Sequence, residues 1–362
     1  MRYQIEMLTP VHIGSGNTLN RWDYVWIKGW VYVINLDQVL NHPKINPYEL
    51  QNFMEDPGFS WEDYIKTVRI DPSEISYYKA KASQRPTGNI KEHIKVHLKP
   101  YIPGSSLKGA IRTAFLWYMF KKFEDKNFLF SKIKEKIEEV KKQKDDRRKF
   151  YQAKSKFAQV IEKKFFGRSP NYDVFRCIYV GDSDPLENLE VGLVKTYDLR
   201  NRRFLPDKNL EVYSELIPEG SITHVKIKIE TKLFDYKELG IREKGELLEN
   251  IPEICNLRAE EFIKDEIKFF EKFGIEKSKD FYQELLASIK NLPEGAFIIN
   301  LGWATGWRAK TIGEELRKED EKLFEEIRKT FRLGYVNIDV FPKTRRLYDS
   351  KPIGWIKLTP VS

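Results

Sequence analysis

The 362-residue chain is predicted to fold as an α+β protein with antiparallel sheets, on three observations. Residues 222–231 alternate strictly, with Thr223, Val225, Ile227 and Ile229 opposite His224, Lys226, Lys228 and Glu230, the period of a half-buried strand. Residues 104–123 instead place Leu107, Ile111, Ala114, Phe115 and Tyr118 at helical spacing. The third observation is the order in which such strand-like and helix-like runs succeed one another.

The first nine residues read as a strand, and 23–35 as a hairpin turning at Lys28-Gly29, with Trp26, Trp30 and Tyr32 around it. The helix at 104–123 starts after Pro103-Gly104, with Ser105 and Ser106 as candidate N-caps. Residues 131–165 are charged and contain neither Gly nor Pro; Ile133, Ile137, Val140, Phe150, Phe157 and Ile161 are sparse apolar positions in a long solvated helix or helical hairpin. Strands are expected at 175–180, 191–197, 296–301 and 354–358, and helices at 257–273, 280–291 and 313–331. Each half offers an apolar strand, a Gly-containing loop and a helix, at 101–113 and 298–312, which suggests two related modules meeting within 168–190.

Composition narrows the function. With 41% apolar and 14% aromatic residues the chain supports two cores, and it contains no apolar run long enough to span a membrane. The N-terminal MRYQIEMLTP lacks the basic and apolar regions of a signal peptide, so a cytoplasmic location is expected. Cys177 and Cys255 form no CxxC pair and support neither a disulfide framework nor a cysteine metal site. Abundant Lys and Glu with few Cys and Met suggest a thermophilic source. The net charge of +9 favours an anionic partner, yet residues 121–168 alone hold 17 Lys/Arg against 8 Asp/Glu, the whole excess. A ligand surface elsewhere must therefore be built from local groups in individual loops.

Two loops are built that way. In Tyr101-Ile102-Pro103-Gly104-Ser105-Ser106-Leu107-Lys108-Gly109-Ala110-Ile111-Arg112, small residues sit at a helix N-terminus, where unpaired N–H groups and the helix dipole suit a phosphate. Lys108 and Arg112, one turn apart, add charge. Gly104 and Gly109 have P-loop spacing, but Ala110 and Ile111 stand where its Lys and Ser/Thr must be, which argues against a nucleotide triphosphatase. The second loop, Leu301-Gly302-Trp303-Ala304-Thr305-Gly306-Trp307-Arg308-Ala309-Lys310-Thr311, combines close backbone approach, aromatic stacking and cations. Trp303 reads as a core residue, Trp307 equally as core or as a base-stacking residue. The basic run Lys343-Thr344-Arg345-Arg346 alone reads as a solvated loop.

Other polar positions carry less. Leu8-Thr9-Pro10-Val11-His12-Ile13-Gly14-Ser15-Gly16 reads as a strand ending in a Gly-rich turn, where His12 lacks a partner acid or base for catalysis. His93 and His97 would present two metal ligands only if 90–98 were helical, and no third ligand is evident. Gly181-Asp182-Ser183-Asp184-Pro185 reads as a turn with Asx capping.

Taken together, LTPVHIGSG, IPGSSLKGAIR, GWATGWRAKT and the closing FPKTRR with PIGWIKL resemble the RAMP superfamily of CRISPR proteins, and within it the fifth-subunit family of the type III-A (Csm) effector. The resemblance spans both ends of the chain; 115–295 matches in general character only. It implies ferredoxin-like (RRM-type) modules: an N-terminal one over 1–180 with a charged insertion at about 121–168, and a C-terminal one over 181–362 with a helical segment at about 236–291. It further implies a position at the head of the effector, around the 3′ portion of the crRNA, supporting its maturation. The implied partners are crRNA, other Csm subunits and especially the backbone RAMP subunit, with target RNA and host nucleases as further ones. Gly104, Ser105, Ser106, Lys108, Gly302, Thr305, Gly306 and Lys310 become RNA-backbone candidates. His12 and Gly14 line the same surface, Lys343, Arg345 and Arg346 extend it, and Arg112 and Trp307 complete the set. No aspartate here matches the loop aspartate with which backbone subunits cut target RNA. Neither cleavage nor a metal or cofactor is therefore expected. The competing reading, a CRISPR-repeat-processing endoribonuclease of the same fold, calls for a C-terminal Gly-rich loop beside the last strand, whereas the glycines here lie at 302, 306 and 313.

Overall fold

A computed structural model describes residues 1–143, 146–334 and 340–361. Its centre is a five-stranded sheet in the spatial order Phe297–Asn300, Trp355–Val361, Arg2–Met7, Ile222–Ile229, Ile178–Val180, with every pair antiparallel. Ile5 lies opposite both Thr223 and Leu358, so the first strand joins segments from far along the chain. The alternation read from residues 222–231 holds: Val225 and Ile227 face inward with Tyr3, Ile5, Met7, Ile356 and Leu358. Strands on either side of residue 180 hydrogen-bond to each other here.

The helix predicted at 104–123 spans Gly104–Lys122 and buries Leu107, Ile111, Ala114, Phe115 and Phe120 in the same core. Each of the Leu, Ile and Phe side chains contributes about 1.5–3 kcal/mol. The expectation that Ser105 or Ser106 caps it is corrected: Pro103 is the N-cap position, and the Gly104 N–H donates to Asp182 Oδ1 at 2.7 Å. Asp182 thus makes an Asx-type cap for a distant helix instead of its own turn. The opposite sheet face, at the Phe297–Asn300 end, is covered by helices Ile251–Phe273 and Glu276–Ile289 through Phe262, Phe270 and Tyr282 on Ile298 and Trp355.

The charged segment forms helices Lys126–Lys142, Arg147–Lys156 and Gln159–Phe165; its residues 144 and 145 lie outside the described residues. It is not solvated all round. Ile133, Ile137 and Val140 recur every three or four residues and are buried with Leu323, Ile327 and Phe331 of helix Glu321–Phe331. The sparse apolar residues make one narrow stripe, and the charges occupy the rest of the surface.

A second sheet follows the path Gly14–Leu19, Ile90–His93, Val212–Leu216, Glu190–Arg200, Ser76–Lys81, Trp30–Ile34, Tyr24–Ile27. The hairpin turns at Lys28 and Gly29, both at positive φ, as the sequence predicts. Two of its pairings, Tyr213 with Ile90 and Glu190 with Lys81, are parallel, a departure from the all-antiparallel expectation. Its two end strands are consecutive in sequence, joined only by residues 20–23, so the sheet curls until its edges approach each other. The segment expected to turn at Gly14-Ser15-Gly16 is instead strand Gly14–Leu19, and 174–177 is a 3₁₀ turn preceding Ile178–Val180. Among the described residues no helix is long and apolar enough to cross a membrane.

Candidate nucleic-acid interface

The two glycine loops meet. A cavity of about 360 Å³ lies between them, with Ser105, Ser106 and Gly109 on one wall, Gly302, Thr305 and Lys310 on the other, and Gly14 at the rim. The pairing of strand-to-helix segments at 101–113 and 298–312 is therefore spatial as well as sequential. Both come from ends of the five-stranded sheet or its covering helix, so the walls are set by the core beneath.

Helical geometry divides the first loop. Ser105, Ser106, Gly109, Ala110 and Thr113 share the face toward the cavity. Lys108 and Arg112 lie on another face. The Lys108 ammonium donates to the Ile178 carbonyl at 2.6 Å, and burial lowers its pKa. Arg112 pairs with Asp173 at 2.8 Å and stacks over Phe166 at 3.8 Å. Both cations are committed to the protein. Gly104 is buried, and a Cβ there would collide with the carbonyls of Val180 and Gly181, so its glycine serves packing. The Asp182 carboxylate already occupies the helix N-terminus that appeared open to a phosphate.

In the second loop Gly302 has φ 89°, and an added Cβ would meet the His12 carbonyl. The next residue, Trp303, donates its N–H to that carbonyl at 2.8 Å. Both tryptophans are half-buried, and Trp303, expected in the core, packs one side against the buried cluster of Val194, Leu216, Ala304 and Ile353. Trp307 packs against Phe341 at 4.9 Å and Phe324 at 5.9 Å, and a Cβ on Gly313 would strike it. Trp303 is half-buried at the cavity wall, with the Lys91 ammonium 5.3 Å and the Arg346 guanidinium 5.1 Å from its ring centre. Lys91, Lys310 and Arg346 make no ion pair among the described residues. Burial, and then the charge of Arg346, lowers the pKa of Lys310. Two uncompensated cations over one aromatic ring, with a third on the same cavity wall, suit an anionic ligand that carries planar groups.

The other basic residues of the closing run are engaged. Lys343 pairs with Asp198 at 2.9 Å, and Arg345 holds Glu266 at 2.7 Å while lying 3.9 Å over Phe269. Glu266 in turn binds Arg308 at 2.7 Å, Arg308 binds Asp265 at 2.6 Å, and Lys318 bridges Asp265 to Glu261, which Lys121 also holds. Burial pushes the Glu261 carboxyl up, but hydrogen bonds from Lys121 and Lys318 bring it down to about 2. This alternating chain of charges ties the Gly104–Lys122 helix to the Gly306 loop and to strand Thr344–Tyr348. Gly306, at φ 87°, faces a neighbouring cavity of about 200 Å³ together with Thr305 and Arg346.

His12 does not reach the surface. It is 1% exposed, its Nδ1 lies 2.6 Å from the Glu215 carbonyl, and burial lowers its pKa. Edge-on to it at 5.8 Å stands His93, whose pKa burial lowers to about 3. The Glu215 carboxylate accepts from Lys95 at 2.5 Å, Tyr78 at 2.8 Å and the His93 N–H at 2.8 Å; burial raises its pKa, against the pull of Lys95. This buried cluster braces the back of the loop. His93 lies on strand Ile90–His93 and His97 in a turn at φ 48°, so the helical spacing required for a metal pair is not realised.

Lys91, Trp303 and Asp182 are site-forming residues that sequence reasoning missed or misplaced. Lys91 becomes legible only through pairing: it lies opposite Thr18 in the strand that begins at Gly14.

The chain matches the RAMP superfamily over residues 4–335. The chain belongs to the RAMP superfamily. It is similar to the "CRISPR system Cms protein Csm5" of Methanocaldococcus jannaschii, 26% identical over 402 aligned positions that cover 100% of this chain and 89% of that protein. Among solved structures it is similar to a chain of the cryo-EM structure of a Csm–crRNA–target RNA ternary complex of a type III-A CRISPR-Cas system, with a TM-score of 0.76 and 28% identity over 99% of this chain and 100% of that one. It is also similar to the crystal structure of T. onnurineus Csm5, with a TM-score of 0.71 and 25% identity over 98% and 99% of the two chains. As a RAMP relative of Csm5 proteins, it has the kinship that the glycine-loop motifs imply.

Proposed function

We propose that this RAMP protein is a crRNA-binding structural subunit of a type III-A (Csm) effector, holding the RNA backbone in the groove between its two glycine loops near the crRNA 3′ end. The observation that carries this reading is Trp303 on the groove wall, with the unpaired Lys91 and Arg346 over its ring and the unpaired Lys310 lining the same groove. Its counterpart in the Csm–crRNA–target RNA complex matches over that chain's whole length, so the same partners are proposed here: crRNA, target RNA and the other Csm subunits. Phosphates lie against the Ser105, Ser106 and Lys310 walls, and a base stacks on Trp303.

The order of the five-stranded sheet supports a ferredoxin-like module. With the edge strand Phe297–Asn300 set aside, its strands run fourth, first, third, second and all neighbours are antiparallel, with helix Gly104–Lys122 between the first and second and helix Ile251–Phe273 between the third and fourth. The curled sheet is read as the second module, its parallel pairs a variation on the pattern. Binding without catalysis, in the cytoplasm, is the reading favoured over an endoribonuclease. His12 is sealed beneath the loop and its Nδ1 is held by Glu215.

Binding of single-stranded crRNA by the wild-type chain and by a Lys310→Ala, Arg346→Ala variant tests this. Loss of most affinity in the variant, with repeat RNA left uncut by both, is expected. Equal affinity of the two proteins, or cleavage by the wild type, refutes it.

A further inference from the structure

The strand that leaves the groove leads to a second, larger cavity. Gly14 lines the groove, and Gly14–Leu19 runs from it as the end strand of the curled sheet, exposed at every residue from Gly14 to Thr18. After Leu19, residues 20–23 turn over a cavity of about 690 Å³, within the range of ligand sites. Six strand residues separate the two by about 20 Å.

The wall of this cavity is aromatic and its cations are exposed. Trp61 and Tyr24 are buried and fixed, the Trp61 Nε1–H donating to the Trp22 carbonyl at 2.8 Å and the Tyr24 hydroxyl to the Gly88 carbonyl at 2.9 Å. Trp22 is half-buried, stacked on Phe59 at 5.2 Å with 16° between the planes, and Arg21 lies over its ring at 4.7 Å. Arg21 is exposed and makes no ion pair among the described residues; Arg85 is exposed and shares Glu62 with Lys66. A base can replace the exposed Arg21 head on Trp22, freeing the guanidinium for a phosphate.

We propose that this cavity is a second subsite for single-stranded RNA, in which Trp22 stacks a base, Arg21 and Arg85 hold the adjoining phosphates, and strand Gly14–Leu19 carries the RNA from the groove. The inference rests on the groove reading above and extends the path it implies. The small residues Gly14, Ser15 and Gly16 leave the path unobstructed, and the two arginines favour an anionic occupant over an apolar protein segment.

The test uses the full chain with single-stranded RNAs of about 5 and about 12 nucleotides, the shorter filling the groove alone. Trp22→Ala should weaken binding of the longer RNA about tenfold and leave the shorter one unchanged, with Trp22→Phe restoring most of the loss. Ultraviolet cross-linking of the wild-type protein to the longer RNA should label the peptide containing 20–26, a measurement that does not depend on any variant folding. If that peptide is unlabelled and Trp22→Ala binds the longer RNA normally while Trp303→Ala does not, the second subsite is wrong and the groove stands. If Trp303→Ala and Lys310→Ala are also without effect, the groove reading falls, and labelling at 20–26 alone decides the cavity.

Discussion

The main-chain N–H of Trp303 donates to the His12 carbonyl at 2.8 Å, and the Trp303 indole stands edge-on to the His12 imidazole at 5.5 Å. This joint fastens the second glycine loop to the N-terminal segment. Gly302 makes it possible, since any side chain there would strike the same carbonyl.

Gly302→Ala should therefore cost about 1–3 kcal/mol of stability, from positive-φ strain and the collision together, and should weaken RNA binding by displacing Trp303. Gly306→Ala, which meets no neighbouring atom, should cost only the strain of its φ 87°, ψ 176° backbone, about 1–3 kcal/mol. RNA titrations beside thermal melts separate the two: displacement of Trp303 is expected from Gly302→Ala alone, and unchanged RNA affinity of that variant would contradict the joint.

The two tryptophans should separate binding from stability. Trp303→Ala is expected to cost about 1–3 kcal/mol of RNA affinity with the melting temperature nearly retained. Trp307→Ala should leave a cavity among Phe324, Phe341 and Gly313 and cost roughly 2–4 kcal/mol of stability, less than a fully buried ring. Paired titrations and melts read both, and a binding-only phenotype for Trp307 would make it a base-stacking residue.

Salt dependence distinguishes the lysines. Lys310→Ala should lower the slope of log affinity against log salt by about 0.7, the value for one phosphate contact on single-stranded RNA. Lys108→Ala removes a hydrogen bond to the Ile178 carbonyl and should leave the slope unaltered while lowering stability by about 1 kcal/mol. A smaller slope for Lys108→Ala would place its ammonium on the RNA after all.

Acid should loosen the brace behind the loop. The folded-state pKa of His93 lies at about 3, below the ordinary 6.5, so the unfolded chain binds a proton at a pH where the folded chain does not. Its contribution to stability is full above pH 6.5 and falls as the pH drops toward 3. Denaturant unfolding across that window should decline less steeply for His93→Gln than for the wild type.

The sequence exposed the fold wherever a single element carried its own period. The 222–231 strand, the 104–123 helix and the 23–35 hairpin each follow from local spacing, and each is present. The loops at 104–112 and 302–310 were legible as small-residue strand-to-helix turns, and they do face each other. What local pattern cannot convey is which side of an element meets which neighbour. Lys108 and Arg112 share a helix with Ser105 and Gly109 but turn toward Ile178 and Asp173. Trp303 carries no more sequence signal than Trp307; long-range packing alone sets one among cations at the groove and the other against Phe324 and Phe341. Asp182 looked local because its partner, Gly104, is 78 residues away.

The first strand has a consequence for synthesis. Arg2–Met7 lies between Ile222–Ile229 and Trp355–Val361, so its first partner leaves the ribosome more than 200 residues later and its second more than 340 residues later. At usual elongation rates it waits on the order of ten seconds or more for the one and tens of seconds for the other. During that interval Ile5 and Met7 are apolar side chains without a sheet. The nascent chain depends on something else to shield them, and the groove takes shape only as translation ends.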